Sequence, residues 1–114
     1  MKIESTDDLD LTLAATSFAA LGSEQRLGVL RALVRTGPDG LSIGELGVRS
    51  GVTGSTLTHH VKVLAAAGLV EQARQGRSII CAAVAYDQVR ALSEFLLTAC
   101  CADSTAPCEY HNHD

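Results

Sequence analysis

Apolar residues recur at three- and four-residue spacing in five stretches of the chain, which predicts five amphipathic helices. The first helix is expected to run to Leu21 from a cap at Ser5 or Thr6. Asp7 and Asp8 fall in its opening turn, where the helix dipole favours acidic side chains. Its apolar stripe consists of Leu11, Ala14, Ala15, Phe18 and Leu21. A small domain has few other helices or strands that can pack against this stripe, so we expect a second copy of the chain to cover it.

The second helix is predicted to begin after Ser23, with Glu24 in its first turn, and to end at the turn Gly37-Pro38-Asp39-Gly40. The residues expected to face the core are Leu27, Leu30, Leu33 and Val34. Leu41 adds a short strand after that turn. The last helix is predicted to open at Tyr86. Its apolar face consists of Val89, Leu92, Phe95, Leu96 and Ala99.

The stretch from Ser42 to Arg77 is one unit, in which two short helices precede a glycine-tipped hairpin. Ser42 is placed to cap the first of these helices with Glu45 three residues on, the reciprocal pattern of a capping box. Gly51 supplies the permissive backbone that a tight helix-to-helix turn needs. Thr53 is positioned to cap the second helix. The residues predicted to bury one face of that helix are Leu57, Val61 and Leu64.

Polar side chains share the opposite face of this second helix. At about 100° per residue, Ser55, His59 and Lys62 fall within about 60° of one another. Thr58 lies at the edge of this face, and Thr56 completes the candidate set. Hydroxyl, imidazole and ammonium groups can read base edges and bind phosphates, so the face is a candidate DNA-reading surface. The alternative is a merely solvated helix surface.

His60 falls nearer the apolar face, so we expect a packed or hydrogen-bonded histidine rather than a base reader. After the helix, Gly68 closes a turn. Strands are predicted over residues 69–74 and 77–84, with the hairpin tip at Gln75-Gly76.

This hairpin is predicted to act as a wing. Arg74 and Arg77 flank its tip beside Gln75, where guanidinium groups can lie along phosphates or enter a minor groove. A hairpin of this kind is by itself more often an ordinary solvated one. Directly after a helix-turn-helix pattern, we favour DNA contact.

The run LGSEQRLGVLRAL (Leu21 to Leu33), the following SIGELGVRSGVTGSTLTHHVKVLAAAGLV and the RQGR of the wing carry a family resemblance. Over roughly residues 9–100 the chain resembles the winged-helix repressors of the arsenical-resistance and metal-sensing (ArsR/SmtB) family. The segment STLTHHVKVLAAAGLV is specific to that family rather than to helix-turn-helix proteins at large. The resemblance implies an α+β, mainly α fold, with five helices and a two- or three-stranded wing. It also implies a homodimer, joined through the first and last helices, that sits on a palindromic operator and leaves it when a metal or metalloid binds.

The length of 114 residues fits one domain, which we place at residues 1–101, followed by a cysteine-bearing tail at residues 102–114. Hydrophobic residues make up 46% and charged residues 19% of the chain, a composition typical of globular proteins. The apolar runs are too short to span a bilayer. The N-terminal MKIESTDDLD is acidic where a signal peptide would be basic and then apolar. We therefore expect a cytoplasmic protein with no membrane partner.

The net charge of −4 conceals a segregation of charge along the chain. Between Gly22 and Ile80, seven Lys or Arg residues stand against four acids, a balance of +3 that leaves −7 for the remainder. The attraction for phosphate is thus concentrated on the helix-turn-helix and wing, while the acidic ends limit non-specific adsorption.

Three of the four cysteines, Cys100, Cys101 and Cys108, lie in the last fifteen residues, in the segment CCADSTAPC. In a reducing cytosol such a cluster is more typical of a ligand set for a soft ion than of a disulfide framework. Three thiolates suit a trigonal pyramidal centre with a lone pair, the geometry of As(III) or Sb(III). Adjacent helical side chains point about 100° apart, so Cys100 and Cys101 converge on one ion only where the last helix ends or frays. Cys81 alternates within an apolar strand and is expected to be a small buried hydrophobe.

The tail site departs from the best-known pattern of the family. Many arsenic-sensing members carry Cys-Val-Cys in the first helix of the helix-turn-helix, where this chain has Glu45-Leu46-Gly47-Val48. The zinc-sensing members pair Asp and His across the last helix, and residues 86–99 contain no histidine. The sensing site is therefore assigned to the three tail cysteines, as in arsenic-responsive relatives with C-terminal cysteines.

Other interpretations of the tail remain open. The cysteines could be incidental in an unstructured end, and Glu109, His111 and His113 admit a site for a borderline metal. A disulfide from Cys108 to Cys101 or Cys100 would make a thiol redox switch on the same scaffold. A metal-sequestering function would use the tail cysteines but would not account for the polar helix face or the wing. An enzyme is disfavoured because no histidine-carboxylate constellation or phosphate loop accompanies the cysteines.

Overall fold

The computed structural model describes residues 10–84 and 86–106, which form five helices and three strands. In chain order these are α1 (Leu11–Ala20), α2 (Glu24–Thr36), β1 (Leu41–Ser42), α3 (Ile43–Ser50), α4 (Gly54–Ala66), β2 (Val70–Gln75), β3 (Ser78–Ala83) and α5 (Tyr86–Phe95). The predicted architecture, a mainly α winged helix-turn-helix with five helices and a small antiparallel sheet, is confirmed.

Side-chain caps set where the first two helices begin. Asp10 has extended backbone, and its Oδ1 accepts a 3.2 Å bond from the backbone N–H of Thr12, so the described helix begins at Leu11 rather than at a cap near residue 5. The cap residues and acids predicted for an earlier start, Ser5, Thr6, Asp7 and Asp8, lie outside the described residues. α2 begins after Ser23, whose Oγ accepts from the N–H of Arg26 at 3.3 Å, as predicted.

The buried face of α2 is rotated relative to the prediction. Val29, Leu30 and Leu33 are buried, whereas Leu27 and Val34 expose 43% and 47% of their surface. At about 100° per residue, Leu27 and Val34 lie roughly 90–110° from the centre of the buried stripe. Their assignment to the core was wrong because the buried stripe is centred on Leu33 and extends to Val29, which the prediction omitted.

β3 is the central strand of a three-stranded antiparallel sheet with the order β1-β3-β2. β1 pairs through Leu41 with Cys81, and β2 pairs along its whole length with β3. Gly40 precedes β1 with a φ of 72°, and a Cβ there would collide with the carbonyl oxygen of Cys81. Beyond β3, the N–H of Val84 bonds the carbonyl oxygen of Leu69 at 3.1 Å. β3 is thus bonded to β1 at Ile80 and Cys81 and to β2 along its length, and the bonding on the β2 side continues to Val84.

α5 ends at Phe95, so the apolar stripe predicted to continue to Ala99 leaves the helix one turn early. Turns follow over residues 96–103, and Ala99 has a positive φ of 66°, which a continuing helix excludes. Leu96 and Leu97, just past the helix end, are 69% and 57% exposed.

The core lies where α2, α3 and α4 pack together against the sheet. Its largest fully buried side chains are Leu33, Leu46, Leu57, Leu64, Val29, Val61 and Cys81. α1 packs against α5 and against α4, so it connects the last helix with the helix-turn-helix.

Candidate nucleic-acid interface

α3 and α4 form the helix-turn-helix, and local chemistry fixes the first of them. The Oγ of Ser42 accepts from the N–H of Glu45 at 3.2 Å, while Oε1 of Glu45 accepts from the N–H of Ser42 at 3.0 Å. The predicted capping box is therefore confirmed. Hydrogen bonds from the backbone and hydroxyl of Ser42, and more weakly the charge of Arg49, lower the pKa of the Glu45 carboxyl.

The turn between the two helices depends on glycine. Gly51 ends α3 in the left-handed conformation, with a φ of 76°, as the sequence predicts. Gly47 is buried, and a Cβ there would lie 3.3 Å from the carbonyl oxygen of Val52, so the helices pack closely. Thr53 occupies the predicted cap position of α4, but its side chain makes no capping bond. The next residue, Gly54, has a φ of 65°, so the first turn departs from regular helix geometry.

The two faces of α4 separate as predicted. Leu57, Val61 and Leu64 are at most 1% exposed and anchor the helix in the core. The candidate DNA-reading residues Ser55, Thr56, Thr58, His59 and Lys62 are all exposed. The hydroxyl of Thr58 donates a long 3.5 Å bond to the carbonyl oxygen of Gly54 within the helix. The exposed face therefore presents hydroxyl, imidazole and ammonium groups to solvent together.

The wing extends away from the core. Within β2 only Val70 is buried, and Arg74, Gln75 and Arg77 are exposed. Gln75 pairs with Ser78, so the two-residue turn is Gly76-Arg77, one position later than predicted. Gly76 has a φ of 61°, a conformation that glycine adopts at little cost at the first position of such a turn. Arg77 is consequently at the tip itself.

His60 lies on the buried side of α4, as predicted, and is only 7% exposed. Its Nε2 lies 2.9 Å from Oε1 of Gln25, and its Nδ1 lies 3.4 Å from Nη1 of Arg26. Burial first, then the charges of Arg26 and His59, lower the pKa of the His60 imidazole. The sequence interpretation missed both partners because they lie at the start of α2, about 35 residues away, and no local pattern marks them.

Cys100 and Cys101 lie in the turns after α5, with their Sγ atoms 3.6 Å apart. α5 ends before both residues, which is the condition predicted for their side chains to converge on one ion, and Cys101 has a φ of 62°. Cys108, the third predicted ligand, and Glu109, His111 and His113 lie outside the described residues. Within residues 10–84 and 86–106, no group of three or more His, Cys, Asp or Glu side chains is arranged to hold a metal ion.

Cys81 is separate from this pair. It is fully buried in β3, and burial raises the pKa of its thiol, so it is the small core residue that the sequence predicts.

Comparison with known sequences places this site in a family. A helix-turn-helix domain profile matches residues 21–73, from the end of α1 into the wing. The uncharacterised HTH-type transcriptional regulator YceK of Bacillus subtilis (strain 168) is 33% identical over 78 residues, which are 68% of this chain and 74% of that protein. The chain belongs to the helix-turn-helix transcriptional regulators. No helix in the described part of the chain is long and apolar enough to cross a membrane.

Solved structures share the fold. A homodimeric winged helix-turn-helix DNA-binding domain from Mycobacterium bovis, described as a possible ArsR-family transcriptional regulator, is 22% identical with a TM-score of 0.63. The match covers 91% of this chain and 89% of that one. The transcriptional repressor BigR of Xylella fastidiosa is 25% identical with a TM-score of 0.60, over 84% and 90% of the two chains.

Proposed function

We propose that the protein is an ArsR-family repressor that binds a palindromic operator as a homodimer and leaves it when As(III) or Sb(III) binds its C-terminal cysteines. The observation that supports DNA reading is the division of α4 into a buried anchor and an exposed polar face beside an exposed basic wing. In this arrangement α4 enters the major groove, and Arg74 and Arg77 neutralise flanking phosphates.

Dimerisation is supported by apolar surface on α1 and at the end of α5. Leu11 is 71% exposed, Phe18 is 36% exposed and Leu96 is 69% exposed. Large exposed apolar side chains that cluster on adjacent elements mark interaction sites, and α1 and α5 are in contact. The M. bovis neighbour is described as homodimeric, which supports the same assembly here.

The sensing site is supported by the geometry of the adjacent thiols. Two sulfur ligands about 2.3 Å from one ion lie roughly 3.4–3.8 Å apart when the angle between them is about 95–110°. The Sγ atoms of Cys100 and Cys101 are 3.6 Å apart, within that interval. Cys108 follows seven residues later, close enough to supply a third thiolate after a modest loop-closure cost.

The packing of α1 provides a route from the tail to the DNA-reading helix. α5 contacts α1, and α1 contacts α4, where the hydroxyl of Ser17 donates a 3.5 Å bond to the carbonyl oxygen of Ala67 just past the end of α4. An ion that redirects the turns after α5 changes how the two subunits meet and hence the spacing of the two α4 helices. A complete reversal of occupancy requires the ion to prefer the DNA-free form by about 5.5 kcal/mol.

The decisive experiment replaces Cys100, Cys101 and Cys108 singly and together by serine. Each variant should bind a duplex selected from random DNA by the wild-type protein, and each should lose most of its release by arsenite in a mobility-shift titration. Cys81→Ala is the matched control, and its arsenite response should equal that of the wild type. A triple variant released at the wild-type arsenite concentration would exclude the site.

A thiol redox switch, with a disulfide from Cys108 to Cys101 or Cys100, is the second candidate, because two thiols lie side by side in the turns after α5. Oxidation removes two electrons and two protons from a pair of thiols to form one disulfide, and it therefore needs an oxidant. Titration with hydrogen peroxide and with arsenite under reductant, at fixed salt, separates the two functions. Release by peroxide alone would favour the redox switch.

A further inference from the structure

A chain of part-buried polar contacts joins three helices around His60, which is itself buried. Nε of Arg26 donates a 2.6 Å bond to the carbonyl oxygen of Ala20, the last residue of α1. Nη1 of the same guanidinium lies 3.4 Å from Nδ1 of His60, and Nε2 of His60 lies 2.9 Å from Oε1 of Gln25. The chain therefore runs from the predicted dimerisation helix through α2 to the helix that carries the candidate DNA contacts.

Only one protonation state of His60 satisfies these contacts. The guanidinium of Arg26 has donors and no acceptor, so Nδ1 of His60 must accept. Nε2 then carries the hydrogen and donates to the carbonyl oxygen of Gln25. If the amide of Gln25 were reversed, its NH₂ group would need an acceptor at Nε2, and the hydrogen would move to Nδ1 against Arg26. The neutral imidazole with its hydrogen on Nε2 is thus the state that the contacts require.

A proton on Nδ1 would place one donor against another and a second positive charge beside the guanidinium. The charged groups that act on His60 are Arg26, from α2, and His59, the adjacent residue of α4. From α1, the carbonyl oxygen of Ala20 joins this chain through Nε of Arg26. Acid therefore weakens the contact with Arg26 rather than strengthening it.

We propose that Gln25 and Arg26 are positioning residues that act through His60 to fix the orientation of α4, and that protonation of His60 releases this constraint and relaxes sequence reading. This inference rests on the proposed DNA-binding function. His60 touches no DNA in this scheme, because its side chain is 7% exposed and faces α2. The effect should appear in the ratio of affinities for the selected and random duplexes, since phosphate attraction is common to both.

The test measures that ratio from pH 5 to pH 8 at constant ionic strength. The parent is the wild-type protein, and ring NMR of His59 and His60 shows which imidazole titrates at the midpoint of the loss. The parent should lose roughly 3- to 10-fold of its preference on acidification, the equivalent of about one hydrogen bond. Gln25→Glu retains an acceptor for Nε2 but stabilises the protonated ring, so the midpoint of the loss should move up by about one pH unit.

Gln88→Glu adds the same charge at an exposed position on α5 and should leave the midpoint unchanged. Thermal unfolding at pH 7.5 checks that each variant is folded. A pH-independent preference in the parent, or equal midpoints for Gln25→Glu and Gln88→Glu, would overturn the proposal. NMR of the His60 ring measures the same change in titration midpoint without DNA. If the wild-type protein binds no DNA but Gln25→Glu moves the ring titration, the proposed function fails while the contacts inferred for His60 hold.

Discussion

The Sγ atoms of Cys100 and Cys101 lie 3.6 Å apart although the residues are neighbours in the chain. Neighbouring side chains of a helix point about 100° apart, so this approach depends on the backbone after α5. Ala99 and Cys101 both have positive φ, at 66° and 62°, and the N–H of Ala102 bonds the carbonyl oxygen of Ala99 at 3.0 Å. The conformation of this turn therefore determines whether the two thiols can share an ion.

Ala99 provides a test that leaves every cysteine in place. Ala99→Gly accepts the positive φ at lower cost and should retain arsenite release at the wild-type concentration. Ala99→Val carries a β-branched side chain, for which that conformation is highly unfavourable, and should raise the arsenite concentration needed for release roughly tenfold. Both variants should bind the selected duplex normally in a mobility-shift assay. Equal arsenite responses for the two variants would contradict a role for this turn.

The exposed cations of α4 and the wing should contribute to general DNA affinity, whereas the uncharged polar residues of α4 should contribute to sequence preference. Lys62→Gln or Arg77→Gln should weaken binding to all duplexes and reduce the slope of log K against log salt by about one for each lost phosphate contact. His59→Gln or Thr58→Ala should mainly relax sequence preference. Arg31→Gln removes an equal charge from the exposed side of α2 and should change the slope little. If Arg31→Gln flattened the slope as much as Arg77→Gln, net charge rather than contact would explain the effect.

The capping box of α3 should make stability depend on pH in the acid range. Because the folded state lowers the pKa of Glu45 below its ordinary 4.5, the unfolded chain binds the proton more readily. The stabilisation is complete above pH 4.5 and is lost as pH falls through the lower, folded pKa. Glu45→Gln should therefore show a smaller decrease in the free energy of unfolding between pH 6 and pH 3, measured with urea. Glu71→Gln, at an exposed position of β2, is the control, and its free energy of unfolding should fall over this pH range as much as that of the wild type.

The apolar surface of α1 should determine the assembly state. Leu11→Glu places a charge at a position that is 71% exposed in the single chain and buried in the proposed dimer, so it should yield a monomer. Val48→Glu changes an even more exposed residue on α3, at 84%, and should leave the dimer intact. Sedimentation velocity at micromolar concentration measures both. A wild-type protein that sediments as a monomer would remove the basis for this prediction.

Periodicity and capping chemistry predicted most of the helix-turn-helix because both are local. The Ser42–Glu45 box, the turn at Gly51 and the two faces of α4 all depend on residues within a few positions of one another. Where the prediction was wrong, a choice between neighbouring positions depended on tertiary contacts. Val29 rather than Leu27 enters the core, and Gly76-Arg77 rather than Gln75-Gly76 forms the tip. The partners of His60 could not be predicted, since their contacts join separate helices.

α5 lies between the end of β3 and the turns that hold Cys100 and Cys101. β3 is bonded to β1 and β2, and Val84 is bonded to Leu69 just before α5 begins at Tyr86. Cys100 and Cys101 follow five and six residues after Phe95, the last residue of the helix. Ten residues at about 1.5 Å each make a rigid arm roughly 15 Å long. A shift of about 2 Å at Phe95 then corresponds to a rotation of roughly 8° about Tyr86. A small displacement at the end of α5 therefore becomes a rotation of the whole helix, and the length of the helix determines how large that rotation is.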